Sequence, residues 1–112
     1  MLLSHLDFIK HIADEIDFIL INTKDKNQED VFNNTVLSRA IIRSLEIIGE
    51  ATKKLPQDFR LQHPEIEWKS LAGTRDKLIH DYFGVDYDIV WDIIINELPE
   101  LQFQINLILK TQ

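Results

Sequence analysis

Trp68-Lys69-Ser70-Leu71-Ala72-Gly73-Thr74-Arg75-Asp76-Lys77-Leu78-Ile79-His80-Asp81-Tyr82-Phe83 carries both the architecture and the chemistry of this 112-residue chain. Trp68, Leu71, Ala72, Arg75, Leu78, Ile79 and Tyr82 recur at spacings of 3, 1, 3, 3, 1 and 3, which is one face of a helix. The spacing predicts a helix over about Trp68 to Phe83, ended by Gly84 in the left-handed conformation. Gly73 falls in its middle at a cost of about 1 kcal/mol, a place where another backbone could approach closely.

Arg75 interrupts the apolar stripe. A guanidinium on such a face needs partners, because an unpaired charge away from water is strongly unfavourable. In one reading its stem packs on Trp68 or Leu71 and its head reaches solvent or a carboxylate. In the other it clamps a phosphate through two parallel hydrogen bonds. His80, able to give or take a proton near neutrality, lies five residues on, or about 140° round an ideal helix. The two therefore share no stripe of one straight helix. For both to reach one phosphate, the helix must unwind near His80 or two chains must build the site together. Two third helices meeting at a symmetry axis satisfy the second condition.

Outward from this segment, apolar residues repeat at helical spacing in three more places. Leu2, Leu6, Ile9, Ile12/Ala13, Ile16 and Ile19/Leu20 predict a first helix over about Leu2 to Asn22. Leu3, Phe8, Phe18 and Ile21 fall off that stripe. The polar run 22–28 reads as a linker. A second helix is expected from about Asp30 to Lys54, with Leu37, Ala40/Ile41, Ser44, Ile48, Ala51 and Leu55 on one face and Ile42, Leu45 and Gly49 on another, stopped by Pro56. Residues 56–66 read as a connector with one short turn around Asp58–His63. Asp86 is placed to cap a fourth helix over about Tyr87 to Leu109, kinked at Pro99. No strand pattern or repeat occurs. The expectation is an all-α, up-down four-helix bundle forming a single domain over residues 1–112. Surplus apolar surface on the first two helices adds the expectation of a two-fold homodimer.

Composition narrows the chemistry. The chain carries 12 Lys and Arg against 19 Asp and Glu, a net charge of −7, so general affinity for DNA is not expected. It has no cysteine, and therefore neither disulfides nor thiolate metal sites. Asp7, Lys10, Asp14, Glu15 and Asp17 exclude a signal peptide or membrane span at the start, and a cytoplasmic protein is expected. No histidine follows an acid by three residues, as a helical di-metal site would require, and no nucleotide or zinc spacing occurs. No cofactor or metal is expected, and His5, His11 and His63 read as incidental.

Arg75-x4-His80-x-Tyr82 resembles the signature of the HEPN superfamily, in particular the HepT-like toxins. The resemblance extends through Trp68–Asp86 to Ile48-Gly49-Glu50-Ala51, Val90-Trp91-Asp92 and Glu97-Leu98-Pro99, and so covers nearly the whole chain. It implies a metal-independent ribonuclease, the toxin of a two-gene toxin–antitoxin system whose partner is a minimal nucleotidyltransferase of the MNT type. It implies that Arg75 binds the scissile phosphate and that His80 serves as general base or acid. Tyr82 would line the pocket and accept AMP from the partner, an added anion that blocks RNA. tRNA and mRNA are the candidate substrate classes.

Asp76 and Asp81 flank the motif and could support it, Asp76 by orienting His80 one turn away. Both read equally well as solvated carboxylates on a helix exterior. Arg39 and Arg43 could contact RNA or an acidic partner, with pairing to Glu46 or Glu50 the simpler expectation. The alternative to a ribonuclease toxin is a non-catalytic helical module that binds a nucleotidyltransferase or its substrate.

Overall fold

The computed structural model describes residues 4–74, 76 and 84–111. Its regular elements are all helical: α1 (His5–Thr23), α2 (Gln28–Phe32), α3 (Thr35–Lys53), α4 (Gln57–Gln62), α5 (Trp68–Ala72), α6 (Tyr87–Asp92), a π-helical turn at Ile93–Glu97, and α7 (Leu98–Lys110).

Helix α1 starts at a capping box. The Ser4 hydroxyl accepts from the Asp7 N–H at 3.3 Å and the Ser4 N–H donates to the Asp7 carboxylate at 2.9 Å. The Ser4 backbone N–H, then its hydroxyl, hold the Asp7 carboxyl below its ordinary range. A lowered carboxyl stabilises the fold above the unfolded-state pKa, and this contribution disappears as pH falls through the folded one. Ile9, Ile12, Ala13, Ile16, Ile19 and Thr23 form the buried face, which is the stripe read from the sequence. The Thr23 hydroxyl is satisfied by the Ile19 carbonyl at 2.8 Å.

The expected second helix is two helices. Asn27 caps α2, and Asn34 caps α3 by accepting from the Leu37 N–H at 3.0 Å. An asparagine side chain competes for backbone hydrogen bonds and favours a cap over a helix interior, so the chain restarts at Asn34. Asn34→Ala should cost about 1 kcal/mol in urea unfolding while Asn34→Ser costs little; equal losses would show that the cap bond is not what Asn34 provides.

Helix α3 packs against α1 and α5. Its approach to α5 is close at Gly49, where a Cβ would meet the Ala72 carbonyl at 3.5 Å and the Leu71 carbonyl at 3.6 Å. A methyl just fits and a longer side chain does not. Gly49→Ala should therefore be neutral or stabilising by up to about 1 kcal/mol, and Gly49→Leu destabilising, both read as thermal midpoints. Destabilisation by Gly49→Ala would contradict this packing.

Pro56 stands immediately before α4, the short turn expected in the connector. Gly73 follows the end of α5 at φ −88° and ψ 5°, so the expected third helix is interrupted there. Thr74 and Asp76 beyond it are helical again, and the rest of its continuation to Phe83 lies outside the described residues. Gly84 has φ +102°, the left-handed conformation expected of it. Asp86 caps α6 through hydrogen bonds from the Asp88 and Ile89 N–H groups at 3.1 and 3.2 Å.

The expected distortion at Pro99 takes a specific form. The Leu98 N–H donates to the Ile93 carbonyl, five residues back. This wide turn sets Pro99 in the first turn of α7, where its missing N–H costs no helical bond and its ring avoids a preceding carbonyl. Helix α7 packs on α1, and Gln102 Nε2 donates to Asp17 Oδ1 at 2.8 Å across that contact. Ile9, Ile12, Ile16, Ile19, Ile41, Leu45, Ile48, Ile94, Leu98 and Ile105 fill the core, each burial worth about 1.5–3 kcal/mol.

Candidate functional site

Arg75, His80, Asp81 and Tyr82 lie outside the described residues. The structure defines what holds the two ends of their segment. On the N-terminal side, the indole N–H of Trp68 reaches the His63 carbonyl at 2.9 Å and the Arg60 carbonyl at 3.0 Å. Trp68 is buried and packs against Phe59, with ring centroids 6.1 Å apart. A buried indole with its one donor satisfied is a rigid anchor. Thr74, immediately before Arg75, is buried, and its hydroxyl donates to the Leu71 carbonyl at 2.8 Å. Asp76 is helical and exposed.

On the C-terminal side, the Asp86 cap starts α6 and an aromatic group fixes it. Phe32 of α2 packs on Tyr87 and Trp91, with centroids 4.8 and 6.1 Å apart. Gln28 Nε2 donates to Asp88 Oδ1 at 2.7 Å, which ties α2 to α6 a second time. Both flanks of the motif segment are therefore anchored to other helices through side chains. Such support is needed if an arginine and a histidine are to meet one phosphate reproducibly.

Two depressions flank α5. One is a cavity of about 260 Å³ between α5, the π turn and α7, rimmed by Glu65, Glu67, Glu97 and Glu100 over an apolar floor of Leu71 and Leu101. Gln104 Nε2 donates to the Glu65 carbonyl at 3.1 Å and ties α7 to the loop before α5. The other is a wider, open groove of about 960 Å³ on the α4 side, lined by Arg60, Leu61, Pro64 and Lys69. The Arg60 guanidinium is fixed there by donating from Nη2 to the Thr52 carbonyl at 2.7 Å. Neither depression is legible in the sequence, because their walls come from segments distant in the chain or from a loop without periodicity.

The other singled-out residues behave simply. Arg43 pairs with Glu50 at 3.7 Å, both well exposed, a contact worth little. His63 Nδ1 lies 3.6 Å from Glu65, and its ring packs on Phe59. His5 also stacks on Phe59 and His11 lies edge-on to Phe8. Among the described residues no group of three or more His, Asp or Glu is placed to hold a metal ion. No described helix is long and apolar enough to cross a membrane.

The model of the HepT-like ribonuclease family matches residues 9–108, and the chain belongs to that family. It is 49% identical over 105 residues to a putative RNase of Caldanaerobacter subterraneus subsp. tengcongensis, covering 94% of each chain. It is 48% identical over 103 residues to a putative RNase of Methanocaldococcus jannaschii, covering 92% of this chain and 89% of the relative. A protein of Thermococcus cleftensis named "Probable ribonuclease HepT" is 44% identical over 99 residues, covering 88% of this chain and 90% of that one. No solved structure matches.

Proposed function

We propose that this chain is a metal-independent endoribonuclease and the toxin of a HEPN/MNT toxin–antitoxin system, acting in the cytoplasm on tRNA or mRNA. The observation that carries the reading is the intact Arg75-x4-His80-x-Tyr82 motif in a chain that belongs to the HepT-like ribonuclease family along nearly its whole length. The names of the relatives given above point the same way.

In this reading His80 takes the proton of a ribose 2′-OH, and the freed oxygen attacks the adjacent phosphorus. The P–O5′ bond breaks, a proton passes to the leaving 5′-oxygen, and a 2′,3′-cyclic phosphate remains. Arg75 hydrogen-bonds the non-bridging oxygens as their charge grows. Because Arg75 and His80 are about 140° apart on an ideal helix, the site is completed by a second copy, whose His80 supplies the other proton transfer. The exposed Phe18, Ile21, Phe103 and Leu107 on α1 and α7 support an interface between copies. Residues 1–112 would act as a single up-down four-helix domain, with the motif segment completing the third helix.

Neutralisation runs through Tyr82. Its phenol oxygen attacks the α-phosphorus of ATP on the cognate nucleotidyltransferase antitoxin, pyrophosphate leaves, and the phenol proton passes to a base. The added adenylyl group fills the pocket and repels RNA. Mass spectrometry of the toxin co-expressed with its neighbouring nucleotidyltransferase gene should find Tyr82 heavier by one adenylyl group. An unmodified Tyr82 in a neutralised pair would overturn the switch.

A further inference from the structure

Charge is unevenly distributed along this chain. Residues 53–77 hold six of the 12 Lys and Arg but only four of the 19 Asp and Glu, a net +2, and the remainder of the chain carries −9. Two of the described cations of that segment, Arg60 and Lys69, line one groove. The exposed Lys53 and Lys54 immediately precede Leu55, which also lines it. Arg60 is held in place by the Thr52 carbonyl at 2.7 Å. A guanidinium has five N–H donors; Nη2 of Arg60 is used by the Thr52 carbonyl, and its Nε is buried with no acceptor among the described residues.

The walls between these cations are partly apolar. Leu61, 70% exposed, and Pro64 stand beside Arg60 and Lys69. Cations for phosphates beside apolar surface for riboses and bases are what a single strand of RNA requires. The opposite side of α5 gives the contrast. There Glu65, Glu67, Glu97 and Glu100 rim the smaller cavity, and among the described residues no Lys or Arg lines it. Glu67 borders both depressions, so α5 separates a cationic groove from an anionic one. An RNA strand approaching this end of the molecule is repelled on one side of α5 and attracted on the other. Lys69 stands six residues before Arg75 in the sequence.

From this juxtaposition we infer that the groove between α4 and α5 is a phosphate track for single-stranded RNA, with Lys69 and Arg60 gripping the strand flanking the scissile phosphate. The inference rests on the ribonuclease reading and gives that site its substrate path. It also accounts for how a chain of net charge −7 can hold a polyanion. Lys69 and Arg60 act here as positioning residues, not as proton carriers.

The test uses the full chain. Binding of a 5′-fluorescein 2′-O-methyl oligouridylate, which cannot be cut through its 2′-oxygen, is followed by anisotropy across a KCl series. Cleavage of the unmodified oligouridylate is followed alongside. Lys69→Gln should weaken binding several-fold and reduce the slope of log affinity against log salt by about 0.7, as expected for one lost phosphate contact on a single strand. KM should rise with kcat unchanged, and Lys69→Arg should restore KM and the salt slope. Lys26→Gln, which removes the same charge from the loop after α1, is the control and should change little. Arg60→Gln is less clean because it also releases the Thr52 carbonyl; Lys54→Gln added to Lys69→Gln gives the second measurement and should lower the slope further. If wild type cuts RNA and Lys69→Gln matches it in affinity and slope, or loses no more than Lys26→Gln, the track is wrong and the ribonuclease reading stands. If wild type neither binds nor cuts RNA, both fall together.

Discussion

His80→Ala should lower RNA cleavage by about 10²–10⁴-fold, the range supplied by a positioned general acid or base. Measured in single-turnover assays, the loss should fall on the chemical step and leave RNA affinity close to wild type. Arg75→Ala should lose about 10²–10³-fold, the scale set by removing one group that stabilises developing oxyanion charge. Arg75→Lys should not restore it, since an ammonium lacks the planar fork that grips two phosphate oxygens at once. Circular dichroism of each variant should match wild type. A His80→Ala protein that cleaves at the wild-type rate would remove His80 from the mechanism. Equal harmlessness of wild type and His80→Ala when expressed without the antitoxin would favour the non-catalytic module.

The second large effect concerns stability. Ile16→Ala should destabilise the protein by about 2–5 kcal/mol, the cost of cutting a fully buried aliphatic side chain back to its Cβ. Ile16 is 0% exposed on the helix that packs against both α3 and α7, so the void opens in the core that this helix shares. Chains of this size unfold with a total of roughly 5–15 kcal/mol, which makes the loss a large fraction. The thermal midpoint should fall by roughly 8–20 °C, taking about 4 °C per kcal/mol for a domain of this length. Asp14→Ala, on the exposed side of the same helix, should move it by little. Similar midpoints for both variants would mean that α1 does not form the centre of the core.

Much of the fold is legible in the residues because its core is periodic. Ile9, Ile12, Ile16 and Ile19 fall on one side of any helix containing them, and all four are buried. Phe18 and Ile21, off that stripe, are exposed. The caps at Asp86 and the left-handed Gly84 are equally local, each needing only its own residue type and neighbours. What local pattern concealed was competition between nearby signals. Asn34 interrupts a run that is otherwise helical from α2 into α3, and its capping bond prevails over continuation. Pro99 marks the fourth helix for distortion, but the distortion is a π turn that ends just before it, since widening the ladder satisfies the Leu98 N–H and clears the ring. Gly73 interrupts the third helix, with helical residues on both sides of it, and a close approach of two helices within the chain is made at Gly49.

The candidate site divides in the same way. Arg75, His80 and Tyr82 stand out by residue type and spacing alone, before any coordinates. Arg60 and Lys69 do not, because what distinguishes them is position. Arg60 is fixed by a carbonyl at the end of a different helix, and Lys69 faces the groove that α4 makes with α5. The four glutamates rimming the cavity beyond α5 come from a loop and from the turn around Pro99, a grouping that only folding creates.

The most direct test of the central claim is incubation of the purified chain, without its antitoxin and in excess EDTA, with a single-stranded RNA and with DNA of the same sequence. A metal-independent ribonuclease of this kind should cut the RNA, leave ends carrying 2′,3′-cyclic phosphate and 5′-hydroxyl, and leave the DNA intact for want of a 2′-OH. RNA that stays whole until a divalent metal is restored, or DNA cut as readily as RNA, would contradict it.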